Sequence, residues 1–287
     1  MATEAGALSL AVLIDADNAN QKYAKAIFDE IAKLGEANVR RIYGDFSGQH
    51  LAGWNEPVQA LAILQHQQRN NIKGKNASDI ALVIDAMDLM HKGKLDGVCL
   101  VSSDSDFTRL SQRLREEGLK VYGFGERKTP VAFRNACSQF IYVENLVADA
   151  ADDPQASAEP PRAEAERIET RQRPAPVSPD PGAGSPSAKS DPATAVPPTA
   201  SAKEPASKAV PIIMKAMTGL DDDDGWATLS SVGSQITKIA PDFDTRSYGQ
   251  TKLKDLVEKG GGFDMRRHEV KGWLLRPKNA KRKPKST

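Results

Sequence analysis

Residues 97–107 read GVCLVSSDSDF, a short apolar run that breaks into hydroxyls and then into two carboxylates, Asp104 and Asp106, one residue apart. An apolar run of this length, bounded by polar turn residues, fits a strand buried on both faces. The residues that follow, SDFTRLSQRLREEG (105–118), repeat their apolar positions with helical period. The same alternation recurs on either side. LSLAVLI (8–14), NVRRIY (38–43) and KVYGFG (120–125) are further strand candidates, and AKAIFDEIAKL (24–34) and DIALVIDAMDLM (79–90) read as helices. The second of these helices has an expected apolar face of Ile80, Val83, Ile84 and Met87. Strands alternating with helices predict an α/β domain on a parallel sheet, whose functional groups gather beyond the carboxyl ends of the strands.

That rule applies to four acids. LIDADNAN (13–20) sets Asp15 at the end of the first strand, LVSSDSDF sets Asp104 and Asp106 at the end of another, and Asp79 opens a helix. Carboxylates brought together repel, which raises the pKa of at least one of them unless a cation intervenes. Mg²⁺ or Mn²⁺ would relieve that conflict, because these ions prefer oxygen ligands and are held by one or two carboxylates beside substrate phosphates. Such ions also support phosphodiester cleavage. The competing reading is capping: Ser103 or Asp104 is a suitable cap for a helix that begins near Asp106. Asp17 and Asp85 are assigned to the surface or to a supporting role. Ser102 and Ser103 either donate hydrogen bonds to phosphate or the acids, or simply end the strand. Lys73 and Lys75, with Arg69 nearby, form a basic loop ahead of Asp79 that suits backbone phosphates and equally suits solvent. His50, His66, His91 and His268 share no ligand spacing and are read as structural or surface residues.

The chain has 287 residues, enough for two domains, with 39% hydrophobic and 27% charged residues. Its 39 basic and 38 acidic residues nearly cancel, so affinity for a polyanion must come from local patches. Cys99 and Cys137 lie in no metal-binding or disulfide spacing and are expected to be buried free thiols. The apolar run at 7–14 is too short to span a bilayer and lacks a basic flank. We expect a cytoplasmic protein without a membrane segment. Between Ala148 and Ala209 there is no aromatic residue, and 12 of the 18 prolines fall there. Such a stretch buries too little apolar surface to offset its ordering entropy and is expected to be disordered. The expected divisions are 1–147, a 148–207 linker, 208–277, and a basic tail at 278–287.

In the third segment, Trp226, Leu229, Val232, Ile236 and Ile239 recur at helical spacing, which makes GWATLSSVGSQITKI an amphipathic helix. VPIIMKAMTGL precedes it and DTRSYGQTKLKDLVEKG follows, with Arg246, Lys252 and Lys254 on the polar side. Two short strands, FDMRR and GWLLR, complete a small winged helix of three helices and a hairpin. Beyond Leu275 the chain carries six basic residues, Lys281, Arg282 and Lys283 among them, and no acid, as suits an arm on phosphates.

LIDADNAN, YGDFSG, GKNASDIALVIDAMDLM, GVCLVSSDSDFTRL and VYGFGERKTPVAFRNACSQFIYVENL, in this order over residues 8–147, resemble the LabA-like branch of the NYN domains, in the PIN-like nuclease superfamily. The resemblance implies a Rossmann-like α/β/α domain and a Mg²⁺- or Mn²⁺-dependent ribonuclease. It places metal-binding acids at Asp15, Asp79, Asp104 and Asp106, with Asn18 orienting a ligand or substrate. VGSQITKIAPDFDTRSYGQTKLKDLVEK and the terminal WLLR resemble the OST-HTH, or LOTUS, domain. That likeness implies RNA binding, or contact with a protein partner. The expected function is metal-dependent RNA cleavage aided by an RNA-binding module on a flexible tether. A non-catalytic RNA-binding adaptor is the alternative. DAD after the first strand also mimics the nucleophile motif of haloacid dehalogenase phosphatases, but Ala19 stands where that family expects a hydroxyl or Val, and the winged helix would be unexplained.

Overall fold

The structure, a computed structural model, describes residues 7–68, 76–151, 203–220 and 225–278. Lys73, Lys75, Lys281, Arg282 and Lys283 lie outside the described residues.

The N-terminal domain runs β1 (Ser9–Asp15), α1 (Ala24–Leu34), β2 (Glu36–Gly44), α2 (Asn55–Ala60), β3 (Leu64–Gln67), α3 (Ala77–His91), β4 (Gly97–Val101), α4 (Thr108–Glu116), β5 (Lys120–Gly125), α5 (Val131–Ala136), β6 (Gln139–Tyr142) and α6 (Val143–Ala151). All five strand pairings are parallel and the spatial order is β3-β2-β1-β4-β5-β6. This is the α/β/α architecture that the alternation predicts. Alternate residues of β1 feed two cores. Leu10, Val12 and Ile14 pack with Ile27 and Ile31 of α1 and Leu146 of α6, while Ala11 and Leu13 face Leu82 and Ala86 of α3 and Leu114 of α4. A strand sandwiched in this way must be apolar at every position, which is why β1 and β4 read as unbroken apolar runs. The expected strands all form. β3 and β6 are short strands at the two edges, and β3, written LQHQ, carries no apolar alternation to reveal it.

The face of α3 differs from expectation. Ser78, Leu82, Ala86 and Leu89 are its buried stripe, whereas Ile80 and Ile84 are 61% and 57% exposed. Helix α3 is apolar almost all round, so periodicity could not choose its inner face. Contact with β1 and β2 does so. Cys99 and Cys137 are free and buried, and burial drives both thiols up, Cys137 to about 12.

The C-terminal domain comprises α7 (Val210–Met217), β7 (Ala227–Thr228), α8 (Leu229–Ile239), α9 (Leu253–Gly260), β8 (Phe263–His268) and β9 (Gly272–Pro277), with an antiparallel sheet ordered β7-β9-β8. Its core already includes Ala206 and Ala209, so packed chain begins ahead of position 208. Trp226 does not join α8: that helix is capped by Thr228, whose hydroxyl accepts from Ser231 N at 3.1 Å, and Trp226 precedes β7. Among the described residues no helix is long and apolar enough to cross a membrane.

The buried and exposed faces of α3 give a direct check. Leu82→Ala should cost about 2–5 kcal/mol and Ile84→Ala under about 1 kcal/mol in chemical denaturation. Equal losses would refute the observed face.

Candidate active site and nucleic-acid interface

The strand order reverses between β1 and β4, which leaves a crevice at their carboxyl ends. Asp15 ends β1 there and is 1% exposed. Its Oδ2 accepts from Ser102 Oγ at 2.7 Å, and its Oδ1 accepts from the backbone of Asp17 and Asn18 at 3.2 and 3.3 Å. Burial raises the Asp15 pKa, and the Ser102 and Asn18 hydrogen bonds offset part of that rise. Ser102 Oγ also accepts from Asp104 N at 3.0 Å, so one buried hydroxyl ties the end of β1 to the loop after β4. Gly125 of β5 lets the chain pass close to the end of β4, because a Cβ there would stand 2.7 Å from the Ser102 backbone carbonyl.

Asp104 caps the turn that leads into α4, accepting from Asp106 N at 2.9 Å. The capping reading therefore describes one of its two oxygens. The start of α3 joins both loops: Asn76 Nδ2 donates to Asp106 Oδ2 at 3.3 Å, and Ser78 Oγ donates to Asp17 Oδ2 at 3.3 Å. Asp79 is thereby placed in the field of the others. Its pKa rises to about 6, through burial first and then through Asp15, Asp104, Asp17 and Asp106. The four expected acids do gather, and Asp17 joins them. His50 also approaches, its Nε2 3.4 Å from Asp17 Oδ1. Nothing in its sequence surroundings marks it, since the loop after β2 reaches the site only through the fold. Asp85 lies apart from the acids, paired with Arg41 and Tyr43.

Among the described residues no three His, Cys, Asp or Glu side chains are arranged to hold an ion unaided. The donor set is nonetheless all hard oxygen, and Mg²⁺ takes one or two carboxylates and completes its shell with water. These residues fit an ion held in that way.

On the C-terminal domain, Arg246 does not face solvent. It is paired with Asp244 and Glu30 at 2.9 and 3.1 Å, with 16% of its side chain exposed. Its guanidinium is committed to carboxylates, which corrects the expected RNA contact. Lys252 is exposed, and Lys254 lies 4.5 Å from the ring centroid of Trp273 and 3.5 Å from Glu258. A cationic aromatic face that sequence reasoning missed surrounds Trp226, whose ring centroid is 4.2 Å from Arg266 and 4.8 Å from Arg276. The antiparallel register brings these distant positions together.

The NYN domain family matches residues 9–144 and the OST-HTH/LOTUS domain family matches residues 200–275. The chain is an NYN-domain protein with a C-terminal OST-HTH/LOTUS domain. NYN domains belong to the PIN-like nuclease superfamily. Two solved structures are similar. A protein of unknown function from Vibrio parahaemolyticus is 18% identical over 49% of this chain and 95% of its own, with a TM-score of 0.42. An uncharacterized protein from Nitrosomonas europaea is 33% identical over 33% of this chain and 91% of its own, with a TM-score of 0.24. No curated protein matches.

The raised pKa of Asp79 makes a signed prediction for the metal-free NYN domain. The folded state holds the Asp79 proton more tightly than the unfolded chain, so stability from this group is complete below about pH 4 and is lost as pH rises through about 6. Asp79→Asn should therefore stabilise the protein in EDTA at pH 7.5, by about 1 kcal/mol after allowance for solvent screening at a half-exposed site. The gain should vanish near pH 4. A loss of stability at pH 7.5 would contradict the crowding of these acids.

Proposed function

We propose that this NYN protein is a Mg²⁺- or Mn²⁺-dependent ribonuclease whose OST-HTH/LOTUS domain binds the RNA. The observation that carries this reading is the gathering of Asp15, Asp17, Asp79, Asp104 and Asp106 at the switch point of the sheet, with the Asp79 pKa raised to about 6 by burial first and then by these acidic neighbours. Such a concentration of negative charge repels a polyanionic substrate unless cations neutralise it. Asp15, Asp79, Asp104 and Asp106 would hold the ion. When bound, it supplies Lewis-acid polarisation of the phosphoryl group and charge neutralisation.

The roles of the protein's own groups follow from position. Ser102 and the backbone of Asn18 hold the Asp15 carboxylate still through hydrogen bonds. The Asp106 backbone amide holds one oxygen of Asp104, and the other would be offered to the ion. Water adds to phosphorus, the phosphorus–oxygen bond to one ribose breaks, and the products are a phosphate monoester and a free hydroxyl. RNA would be gripped by the face around Trp226, Arg266 and Arg276 and by Lys252 and Lys254, because guanidinium and aromatic planes accept stacked bases and cations neutralise phosphates. Lys73 and Lys75 ahead of α3, and Lys281, Arg282 and Lys283 in the tail, would add phosphate contacts. The sequence likeness further suggests the LabA-like branch and action in the cytoplasm, where free Cys99 and Cys137 need no pairing.

The second reading is a non-catalytic RNA-binding adaptor. It is favoured by the absence, among the described residues, of three side chains arranged around one point.

Incubation of the full chain with a mixed RNA pool in Mg²⁺, Mn²⁺ or EDTA separates the two. Cleavage that EDTA abolishes is expected, and RNA bound but intact in every buffer selects the adaptor. Asp104→Asn keeps the cap, since Asn caps as well as Asp, and removes only the charge. It should lower activity by about two to four orders of magnitude, equivalent to about 3–5 kcal/mol of transition-state stabilisation. Asp104→Ala should additionally cost about 1 kcal/mol of stability. Full activity in the Asn variant would reduce Asp104 to a cap.

Arg266→Ala should weaken RNA binding and reduce its salt dependence by about one phosphate contact. An unchanged slope in a salt titration would remove Arg266 from the interface.

A further inference from the structure

The N-terminal domain and residues 203–278 belong to one compact unit. Specific polar contacts join them. Arg246 reaches from the turn before α9 to Glu30 of α1, 3.1 Å away, while Asp244 grips the same guanidinium at 2.9 Å. Burial works against the Arg246 charge, but these two carboxylates outweigh it and hold its pKa above the ordinary value. A second cluster joins Arg134 of α5 and Tyr142 of β6 to Asp242, whose Oδ2 accepts from Tyr142 Oη at 2.9 Å. Asn145 of α6, only 4% exposed, donates to Asp244 Oδ2 at 3.1 Å and to Ser247 Oγ at 2.9 Å. The backbone joins as well: Phe140 N of the edge strand β6 donates to Pro241 O at 2.8 Å. Residues 241–247 thus cover part of the open sheet edge and satisfy a donor that would otherwise be left unpaired.

A domain that merely trails on a linker has no reason to bury an arginine between carboxylates from both sides. Removing one of these carboxylates while the contact stays closed leaves a buried charge uncompensated, so the seated arrangement depends on both partners.

The geometry points to a winged helix that is docked in cis on the β6 edge, and so holds bound RNA at a fixed offset from the acidic crevice instead of capturing it on a loose tether. This inference rests on the ribonuclease reading for its consequence, though not for the docking. Arg246 and Arg134, spent on the interface, are withdrawn from RNA. The Trp226 face and the carboxylates move as one body, and cuts fall at a set distance from the element that the winged helix binds.

A full chain carrying a site-specific protease sequence within residues 153–201 tests both parts. After that segment is cut, the two halves should co-elute on gel filtration. Asp242→Arg, which sets a second guanidinium against Arg134, should separate them, and Arg134→Asp with Asp242→Arg should restore co-elution. Separation of the unsubstituted halves, each still folded by circular dichroism, overturns the docking. Co-elution that survives Asp242→Arg combined with Glu30→Arg overturns the assigned contacts. On an end-labelled RNA in Mn²⁺, the uncut protein should give discrete products, and Asp242→Arg a spread of products at similar total cleavage. An identical pattern from both overturns the fixed offset. RNA left intact while the halves co-elute refutes the ribonuclease reading and supports the docking.

Discussion

Mutual repulsion among carboxylates is the constraint around which the N-terminal domain is organised. Five acids share one end of a parallel sheet, and burial first and these neighbours second raise the Asp79 pKa to about 6. The fold tolerates this because each loop is pinned from below. Ser102 secures both Asp15 and the loop of Asp104, and Asn76 and Ser78 fasten the start of α3 to Asp106 and Asp17. Remove the pins and the charges would relax apart. A crevice that keeps like charges together is one whose repulsion a bound cation would relieve, and that is the link from the packing of β1 against β4 to the proposed chemistry.

The opposite problem is solved on the far edge of the same sheet. There the buried charges are paired, and pairing joins two domains. Arg246 between Asp244 and Glu30, and Arg134 beside Asp242, are partly or largely withdrawn from water, so each is favourable only while its partners stay in place. One division of labour among cations follows. Arginines at the interface hold domains, whereas Arg266 and Arg276 lie over the Trp226 ring with about 0.5–1 kcal/mol of cation–π attraction each, and Arg276 also pairs with Asp264 at 3.3 Å.

Much of this was legible in the residues. Buried strands of a doubly wound sheet are apolar throughout, so β1, β4 and β5 announce themselves, and the acids that end them follow from the rule that such sheets place function at strand ends. The winged helix was likewise visible as an amphipathic α8 followed by two short strands. Legibility failed where one residue set served two geometries. Helix α3 is apolar on nearly every side, so Ile80 and Ile84 were read as its inner face in place of Leu82 and Ala86, and Trp226 matched the period of α8 although that helix begins only at Leu229. The polar edge strand β3 carried no pattern at all.

By itself, then, the sequence determined the alternation of strands and helices, the two domains, the acids Asp15, Asp104 and Asp106 after strand ends and Asp79 at a helix start, because these depend on local hydrophobic period and on the chemistry of residues a few positions apart. Tertiary structure alone decided which face of α3 is buried, that Asp17 and His50 join the site, that Arg246 is spent on Glu30 rather than on RNA, and that Trp226 meets Arg266 and Arg276. Each of these pairs residues far apart in the chain, and a charge or a ring shows no preference for its eventual partner until packing fixes the distance between them.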